Sequence, residues 1–179
     1  MQYISPNNHQ LLLRRFSLSD SGKLSCYWCQ LSHATHSRFA PHPFDILGLR
    51  SLYANEQAYK GYIAIDKRTQ QIISYTVLKI GCWEQDVPRL QAYGLTINPS
   101  TDASFAPSVA DNWQGQGIGS QMLQFIKKDL QAIGINRLML WGGVQARNGQ
   151  AVQYYKKQGF TLLGRFEHHG QNEDRVLSV

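Results

Sequence analysis

Three glycines, Gly115, Gly117 and Gly119, stand within five residues in the stretch DNWQGQGIGSQM (111–122). The stretch separates a strand-like apolar run from a run with helical periodicity. The first amide N–H groups of a helix have no partner inside it, and the helix dipole favours negative charge there. Glycine also lets the backbone curl closely around an oxyanion. A ligand-free turn needs only one glycine, so the three together predict a phosphate or pyrophosphate site.

Two common phosphate-binding motifs do not fit this stretch. The dinucleotide pattern G-x-G-x-x-G, counted from Gly115 or from Gly117, ends on Ser120 or on Met122. The phosphate loop of nucleotide hydrolases needs a lysine directly after its last glycine, and none stands there. The loop is therefore predicted to bind the phosphates of a different kind of ligand.

Hydrophobic patterning predicts the strands and helices that position the loop. Strands are predicted at residues 11–16, 62–66, 72–80, 89–97, 103–111, 137–145, 160–166 and 175–179, with hairpins at 62–80 and at the end. Helices are predicted at residues 24–37 after an Asp20 cap, at 44–60 with a break near Gly48, at 118–133 before Gly134, and at 149–158 after an Asn148 cap. This order predicts one mixed α/β domain over residues 1–179.

Two stretches together resemble the GNAT superfamily of acyl-CoA N-acyltransferases. Residues 114–119, QGQGIG, are similar to its signature Q/R-x-x-G-x-G/A. Residues 148–160, NGQAVQYYKKQGF, are similar to its second recurring stretch, N-x-x-A-x-x-x-Y-x-x-x-G-F. One predicted helix and one predicted strand separate the two, as in the family, and the clear resemblance covers residues 104–166. It implies a mainly antiparallel central sheet, flanked by helices and splayed around an acyl-CoA site.

The resemblance also implies roles for individual residues. The strand before the loop would pair with the pantetheine arm of acyl-CoA through Ser108, Val109 and Ala110, and a backbone N–H near Val109 would polarise the thioester carbonyl. The loop would bind the pyrophosphate, with contacts from Gln114, Gly115, Gln116, Gly117, Ile118, Gly119 and Ser120.

Two residues of the second stretch are matched in the same way. Tyr155 aligns with the tyrosine that protonates the departing thiolate, a role that suits a phenol; the alternative is a packed core aromatic. Tyr154 would pack on another face. Asn148 would contact the pantetheine or the acceptor, or serve only as a helix cap.

The resemblance is weakest at the group that would deprotonate the acceptor amine. Protein-lysine acetyltransferases of this superfamily often carry a glutamate where this chain has Ser104, and a serine is not a comparable base. Glu84, Asp86, Asp102 and a water chain are the alternatives, and the sequence does not choose among them.

The segment CYWCQLSHATH (26–36) contains four residues of the types that ligate zinc, namely Cys26, Cys29, His33 and His36. On one helix they form a stripe longer than two turns, and their spacing misses the usual zinc-finger pattern. No metal site is therefore predicted. The favoured interpretation is a wall of the acceptor pocket, shaped by Tyr27, Trp28, His33 and His36.

Composition limits the possible partners and compartment. The formal net charge is +6, but the basic residues are scattered rather than clustered, which argues against a nucleic-acid partner. We find no membrane-length apolar run, no signal-peptide pattern, and three cysteines, an odd number. We expect a soluble, cytoplasmic protein, monomeric or homodimeric, without a membrane partner.

The function predicted from these observations is transfer of an acetyl group from acetyl-CoA, its co-substrate, to an amine by direct attack. The acceptor stays open between small amines, amino acids and protein lysines. The main alternative is a non-catalytic acyl-CoA-binding module, which Ser104 favours and Tyr155 opposes. A nucleic-acid-binding accessory protein is a further alternative, favoured only by the positive charge.

Overall fold

The computed structural model describes residues 1–39 and 41–179. The chain divides into two compact units, of which the first contains Met1–Leu78 and Ala106–Asp129 and the second contains Lys79–Phe105 and Leu130–Val179. The chain contains both helices and strands, and the strands pair mostly antiparallel, which confirms the predicted mixed α/β class. The single domain over residues 1–179 stays a prediction.

Four strands of the first unit are hydrogen-bonded in chain order: β1 (Gln2–Ile4), β2 (Gln10–Arg15), β3 (Tyr59–Asp66) and β4 (Ile72–Ile80), the last two residues of β4 belonging to the second unit. The predicted hairpin of β3 and β4 is confirmed, and the Asp66 amide donates to the Gln71 carbonyl at its turn. β1 was not predicted, because three residues are too few to show an alternating pattern.

The predicted helix over residues 24–37 is two helices, α1 (Ser21–Gln30) and α2 (His33–His36). Leu31 is extended, and the Ser32 hydroxyl accepts from the Thr35 amide to begin α2. Asp20 precedes α1 but makes no side-chain cap; its carboxylate instead accepts from Arg14 Nη1 and Nη2, both at 2.7 Å.

The predicted helix over residues 44–60 is shorter and has no break at Gly48. It is α3 (Ile46–Tyr53), capped by the Asp45 carboxylate, which accepts from the Gly48 amide at 2.7 Å. Residues 59 and 60 already belong to β3, so the helical prediction was wrong at that end.

The predicted glycine loop follows β5 (Asp102–Val109) and a short 3₁₀ turn (Asp111–Trp113), and it precedes α5 (Ile118–Gln131). The predicted apolar stripe of α5 is buried at Ile118, Met122, Leu123, Ile126 and Leu130. Ile133 lies beyond the helix end and is 43% exposed, so it does not continue the stripe. Gly134 follows with a φ of 78°, as its role in ending the helix requires.

The second unit contains the start of β5, then β6 (Arg137–Leu140), β7 (Val144–Gln145), α6 (Gly149–Lys157), β8 (Thr161–Glu167) and β9 (Gln171–Ser178). Its strands are ordered β5-β6-β9-β7, and β8 pairs with β9 as the predicted final hairpin. Residues 102–105 of β5 run parallel to residues 137–140 of β6. The predicted strand 137–145 is interrupted at Gly142 and Gly143, both with positive φ.

The predicted strand at residues 89–97 was wrong, because a short helix, α4 (Val87–Ala92), begins there. Pro88 lies in the first turn, where its fixed φ and missing N–H suit a helix start. Leu90 packs with Cys82 and Met139 in a core cluster. Within residues 1–39 and 41–179, no helix is long and apolar enough to cross a membrane.

Candidate active site

Two of the three glycines in the loop, Gly115 and Gly117, have a backbone conformation that favours glycine. Gly115 and Gly117 have φ values of 75° and 76°, in the left-handed region that penalises other residues by about 1–2 kcal/mol. Space around Gly115 is open, since no neighbouring atom lies within 4 Å of a β-carbon built there. Gly119 lies inside the first turn of α5, so backbone conformation does not require glycine at this position.

The side chains of Gln114 and Gln116 donate hydrogen bonds to backbone carbonyls that precede the loop. Gln114 Nε2 donates to the Val109 carbonyl at 3.1 Å, and Gln116 Nε2 donates to the Asn112 carbonyl at 3.0 Å. Gln116 Oε1 is buried and has no hydrogen-bond partner among the described residues. The predicted pyrophosphate contacts therefore rest on the backbone amides of residues 115–120, at the start of α5.

Asp111 ties the start of the loop to α2. Its carboxylate accepts from the Ser32 amide at 2.9 Å and from the Ser32 and Thr35 hydroxyls, both at 2.7 Å. Burial by itself would raise the pKa of this carboxyl group, but the hydrogen bonds from Ser32 and Thr35 lower it below its ordinary value. An ionised Asp111 thus binds the residues at the start of α2. The sequence pattern did not reveal this contact.

The end of β5 is fixed by hydrogen bonds within the first unit. The Ser108 hydroxyl donates to the Tyr75 carbonyl at 3.0 Å and lies 2.8 Å from the Tyr27 hydroxyl, which donates to it. The Ser108 carbonyl accepts from Ser74, and the Ala110 amide donates to the Ile73 carbonyl. A pantetheine contact through these groups of Ser108 and Ala110 would compete with existing bonds, and so would a contact with the Val109 carbonyl, which accepts from Gln114.

In the second unit, Asn148 caps α6 as predicted. Its side-chain oxygen accepts from the Ala151 amide at 3.3 Å, and the next residue begins the helix. The cap interpretation is confirmed, while a ligand contact by Asn148 stays a prediction.

Tyr155 lies on α6 among aromatic residues of the second unit. Its ring centroid is 5.2 Å from that of Phe160 and 5.1 Å from that of Tyr154, and Phe160 stacks on Phe105. The Tyr155 hydroxyl has no hydrogen bond within residues 1–39 and 41–179. Burial raises the pKa of this phenol above its ordinary value, so the group stays protonated at neutral pH.

A sequence model of the acetyltransferase (GNAT) family matches residues 27–160, about three quarters of the chain. The chain belongs to this family. A curated relative, an uncharacterized N-acetyltransferase ycf52-like protein of Prochlorococcus marinus, is 25% identical over 100 residues. That match covers 54% of this chain, and the chain spans about half the length of the relative, 53%.

Solved structures share the fold of this chain. The GNAT domain of S. lividans PAT has a TM-score of 0.77 at 17% identity, with 100% of this chain and 96% of that chain covered. Spermidine N-acetyltransferase from Vibrio cholerae, solved with CoA and spermine, has a TM-score of 0.67 at 18% identity, with 94% and 95% covered. At such identities the likeness establishes the GNAT fold and nothing further.

Ser104, where protein-lysine acetyltransferases of the superfamily often carry glutamate, has a structural role in this chain. It is fully buried, and its hydroxyl accepts from the Trp83 amide at 2.9 Å. Two of the alternative bases, Asp102 and Asp86, are fully buried. The Asp102 carboxylate accepts from Arg137 and from the Asn98 amide. The Asp86 carboxylate accepts from Arg89 and from the Gly142 amide.

Glu84 differs from those two carboxylates, because its side chain is 76% exposed and pairs with Lys79 at 2.7 Å. The hydrogen bond from Lys79 lowers the pKa of Glu84, so this carboxylate is ionised at neutral pH. Glu84 lies next to Trp83, whose amide binds Ser104. Among the three carboxylates, Glu84 is therefore the accessible one.

The predicted acceptor-pocket residues have different environments in the first unit. Tyr27 and Trp28 are 1% and 2% exposed, and the Trp28 indole N–H has no partner among the described residues. His36 Nε2 lies 2.7 Å from the Trp28 carbonyl, whereas His33 is exposed. No group of three or more potential metal ligands occurs within residues 1–39 and 41–179, and Cys26 and Cys29 are exposed.

A hydrogen-bonded chain of buried side chains lies beside Trp28. His42 Nδ1 donates to the Pro43 carbonyl at 2.8 Å, which leaves Nε2 to accept from the Tyr75 hydroxyl at 2.9 Å. The Tyr53 hydroxyl then donates to Tyr75 at 2.8 Å. Burial lowers the pKa of His42, although the bond to Pro43 and the nearby Asp45 oppose this effect. Because its pKa is lowered, His42 is neutral at neutral pH, and Nε2 then accepts from Tyr75.

We expect the protein to lose folding stability in acid partly through His42. His42 has a lower pKa in the folded state than in the unfolded chain, where it is about 6.5. The contribution of neutral His42 to folding stability is therefore complete above that pH and is lost as the pH falls through the lower folded pKa. Urea unfolding at about pH 7.5 and about pH 5.5 measures it. The His42→Gln variant should lose less stability between these two values than wild type, and an equal loss in both would contradict the role of His42.

Proposed function

We propose that this protein transfers an acyl group, preferentially acetyl, from acyl-CoA to an amine. The observation that carries the proposal is the glycine loop of a GNAT-family chain, with left-handed Gly115 and Gly117 directly before α5. Open backbone at a helix start suits the pyrophosphate of CoA. The chemistry of the loop therefore agrees with the co-substrate that the family uses.

In the proposed reaction, the amine nitrogen attacks the thioester carbonyl carbon directly. The backbone near Val109 would stabilise the resulting oxyanion, the carbon–sulfur bond would break, and the thiolate would take a proton from Tyr155. The protonated phenol of Tyr155, without a hydrogen-bond partner in the described chain, supports this assignment. The amine proton would pass to water or to Glu84, the exposed carboxylate of the three candidates, and the Tyr155 phenolate would regain a proton from water.

The acceptor class is tested by a screen. Acetyl-CoA is incubated with small amines, polyamines, amino acids and lysine peptides, and the release of free CoA thiol is followed. The proposal expects thiol release that depends on one class of amine and a product heavier by one acetyl group. CoA binding without acceptor-dependent release from any class would contradict a catalytic role.

The second candidate is a non-catalytic acyl-CoA-binding module. The buried Ser104, bonded to Trp83 where relatives often carry a glutamate base, is the observation that favours it. Such a module would bind acetyl-CoA and CoA, yet it would leave the thioester intact in the same screen.

A further inference from the structure

The Ser108 hydroxyl, at the end of β5, is hydrogen-bonded to two other elements of the first unit. It lies 3.0 Å from the Tyr75 carbonyl of β4 and 2.8 Å from the Tyr27 hydroxyl of α1. A carbonyl can only accept, so the Ser108 hydrogen is committed to Tyr75, and the Tyr27 hydroxyl must donate to Ser108. The direction of both bonds is therefore fixed, and they connect α1 through Ser108 to β4.

These three residues are removed from solvent. Tyr27, Tyr75 and Ser108 are all buried. Burial raises the pKa of the Tyr27 phenol above its ordinary value, so the group stays protonated at neutral pH and keeps its hydrogen for Ser108. In a buried place a lost hydrogen bond leaves its partner unsatisfied. Removing the Tyr27 hydroxyl should therefore disturb Ser108 rather than pass unnoticed.

The backbone on either side of Val109 has a direction that its neighbours determine. The Ser108 carbonyl accepts from the Ser74 hydroxyl of β4 at 2.8 Å, and the Ala110 amide donates to a β4 carbonyl at 2.9 Å. In a trans peptide group the C=O and the N–H point in opposite directions. The Val109 N–H shares a peptide group with the Ser108 carbonyl, so it points away from β4. The Val109 carbonyl points the same way and accepts from the glycine loop.

We propose that Tyr27 and Ser108 are positioning residues that hold the Val109 N–H in the direction needed to polarise the thioester carbonyl of acyl-CoA. The inference rests on the proposed function, in which this N–H stabilises the oxyanion. Tyr27 fixes the Ser108 hydroxyl, and the Ser108 carbonyl belongs to the same rigid peptide group as the Val109 N–H. An oxyanion donor works only at about 2.7–3.1 Å from its target, so a small tilt of this group weakens the contact.

Kinetics with the amine found in the screen test the positioning role. Removing a whole oxyanion donor costs about 10²- to 10³-fold in kcat, so a misdirected donor should cost less, about threefold to thirtyfold. We expect this loss in Tyr27→Phe, which keeps the ring, with the KM for acetyl-CoA changed by less than about twofold. Ser108→Ala should lose at least as much. The double variant should lose no more than Ser108→Ala alone, because Tyr27 acts only through Ser108.

Tyr53→Phe is the matched control in the same unit. Tyr53 is also buried, and its hydroxyl also donates one hydrogen bond, to the Tyr75 hydroxyl. Both tyrosine variants should lower the melting temperature by a similar amount, since each loses one buried hydroxyl. Tyr53→Phe should nevertheless keep kcat within about twofold of wild type. An equal loss of kcat in both variants, or wild-type kcat in folded Tyr27→Phe, would overturn the proposal.

Infrared spectroscopy of bound acetyl-CoA, labelled with ¹³C at the thioester carbonyl, gives a second readout that needs no acceptor. A weaker hydrogen bond polarises the carbonyl less, so its stretching frequency should be higher in Tyr27→Phe than in wild type. Tyr53→Phe should match wild type, and one frequency in all three proteins would overturn the positioning role. If wild type does not bind acetyl-CoA, the proposed function itself fails. If it binds and acetylates, but Tyr27→Phe behaves as Tyr53→Phe does, only the positioning role fails.

Discussion

Replacing Tyr155 with phenylalanine is expected to reduce kcat by about 10²- to 10⁴-fold, the usual contribution of a general acid. The phenylalanine ring keeps the contacts with Phe160 and Tyr154, so the fold should survive. The KM for acetyl-CoA should change little, since the proton is transferred only in the transition state. Steady-state kinetics with the amine found in the screen measures both constants.

Tyr154→Phe is the matched control, because it makes the same chemical change one residue earlier on α6. Its kcat should stay within about twofold of wild type, and the Tyr155→Phe variant should keep the wild-type melting temperature within about 2 °C. Full activity in the Tyr155→Phe variant, under conditions where chemistry limits turnover, would contradict this role. Tyr155 would then be only a core aromatic residue, and water would protonate the departing thiolate.

Replacing Gly117 with aspartate should weaken CoA binding by about tenfold to several hundredfold. A carboxylate about 4 Å from a phosphate group is repelled by about 1–4 kcal/mol, depending on the local dielectric constant. The side chain would also approach the Tyr3 hydroxyl, 3.5 Å from the β-carbon position, and fill the space that the loop keeps open. Calorimetric titration with CoA measures the loss.

Two further variants separate charge from backbone strain. Gly117→Asn places a neutral side chain of the same shape at the same φ and should lose less affinity than Gly117→Asp. Gly134→Asp introduces the same residue at a φ of 78°, with no neighbouring atom within 4 Å, after the other end of α5. It should bind CoA as wild type does, and wild-type affinity in folded Gly117→Asp would mean that the glycines serve only the turn.

The sequence revealed features whose signal is local. The spacing of Gly115 and Gly117, the apolar stripe of α5 and the Asn148 cap each depend on neighbours a few residues apart, and each is present in the structure. The same holds for the hairpin of β3 and β4, where alternating apolar runs flank a polar turn.

Contacts between distant segments left no such signal. Asp111 meets Ser32 across 79 residues, and Tyr27 meets Ser108 across 81. Tyr3 lies in a three-residue strand at the other end of the chain from Gly117. These contacts exist because of tertiary packing, so neither residue type nor spacing could reveal them.

The wrong strand at residues 89–97 has a different cause. Its apolar residues alternate well enough to resemble a strand, but Pro88 favours the first turn of a helix and Leu90 is buried in a core cluster from a helical position. Tertiary burial and one proline therefore overrode a weak alternating pattern. The break between α1 and α2 is similar, because it depends on Ser32, which also binds Asp111.

Thermal unfolding with CoA tests the central claim, that the loop from Gln114 to Ser120 binds the phosphates of acyl-CoA. A ligand that binds only the folded state at about 100 times its Kd adds about 2.7 kcal/mol, which corresponds to a rise of roughly 5–10 °C in a chain of this length. The account predicts such a rise for wild type with acetyl-CoA or CoA, and a clearly smaller one for Gly117→Asp. An unchanged melting temperature for wild type at millimolar CoA would contradict it.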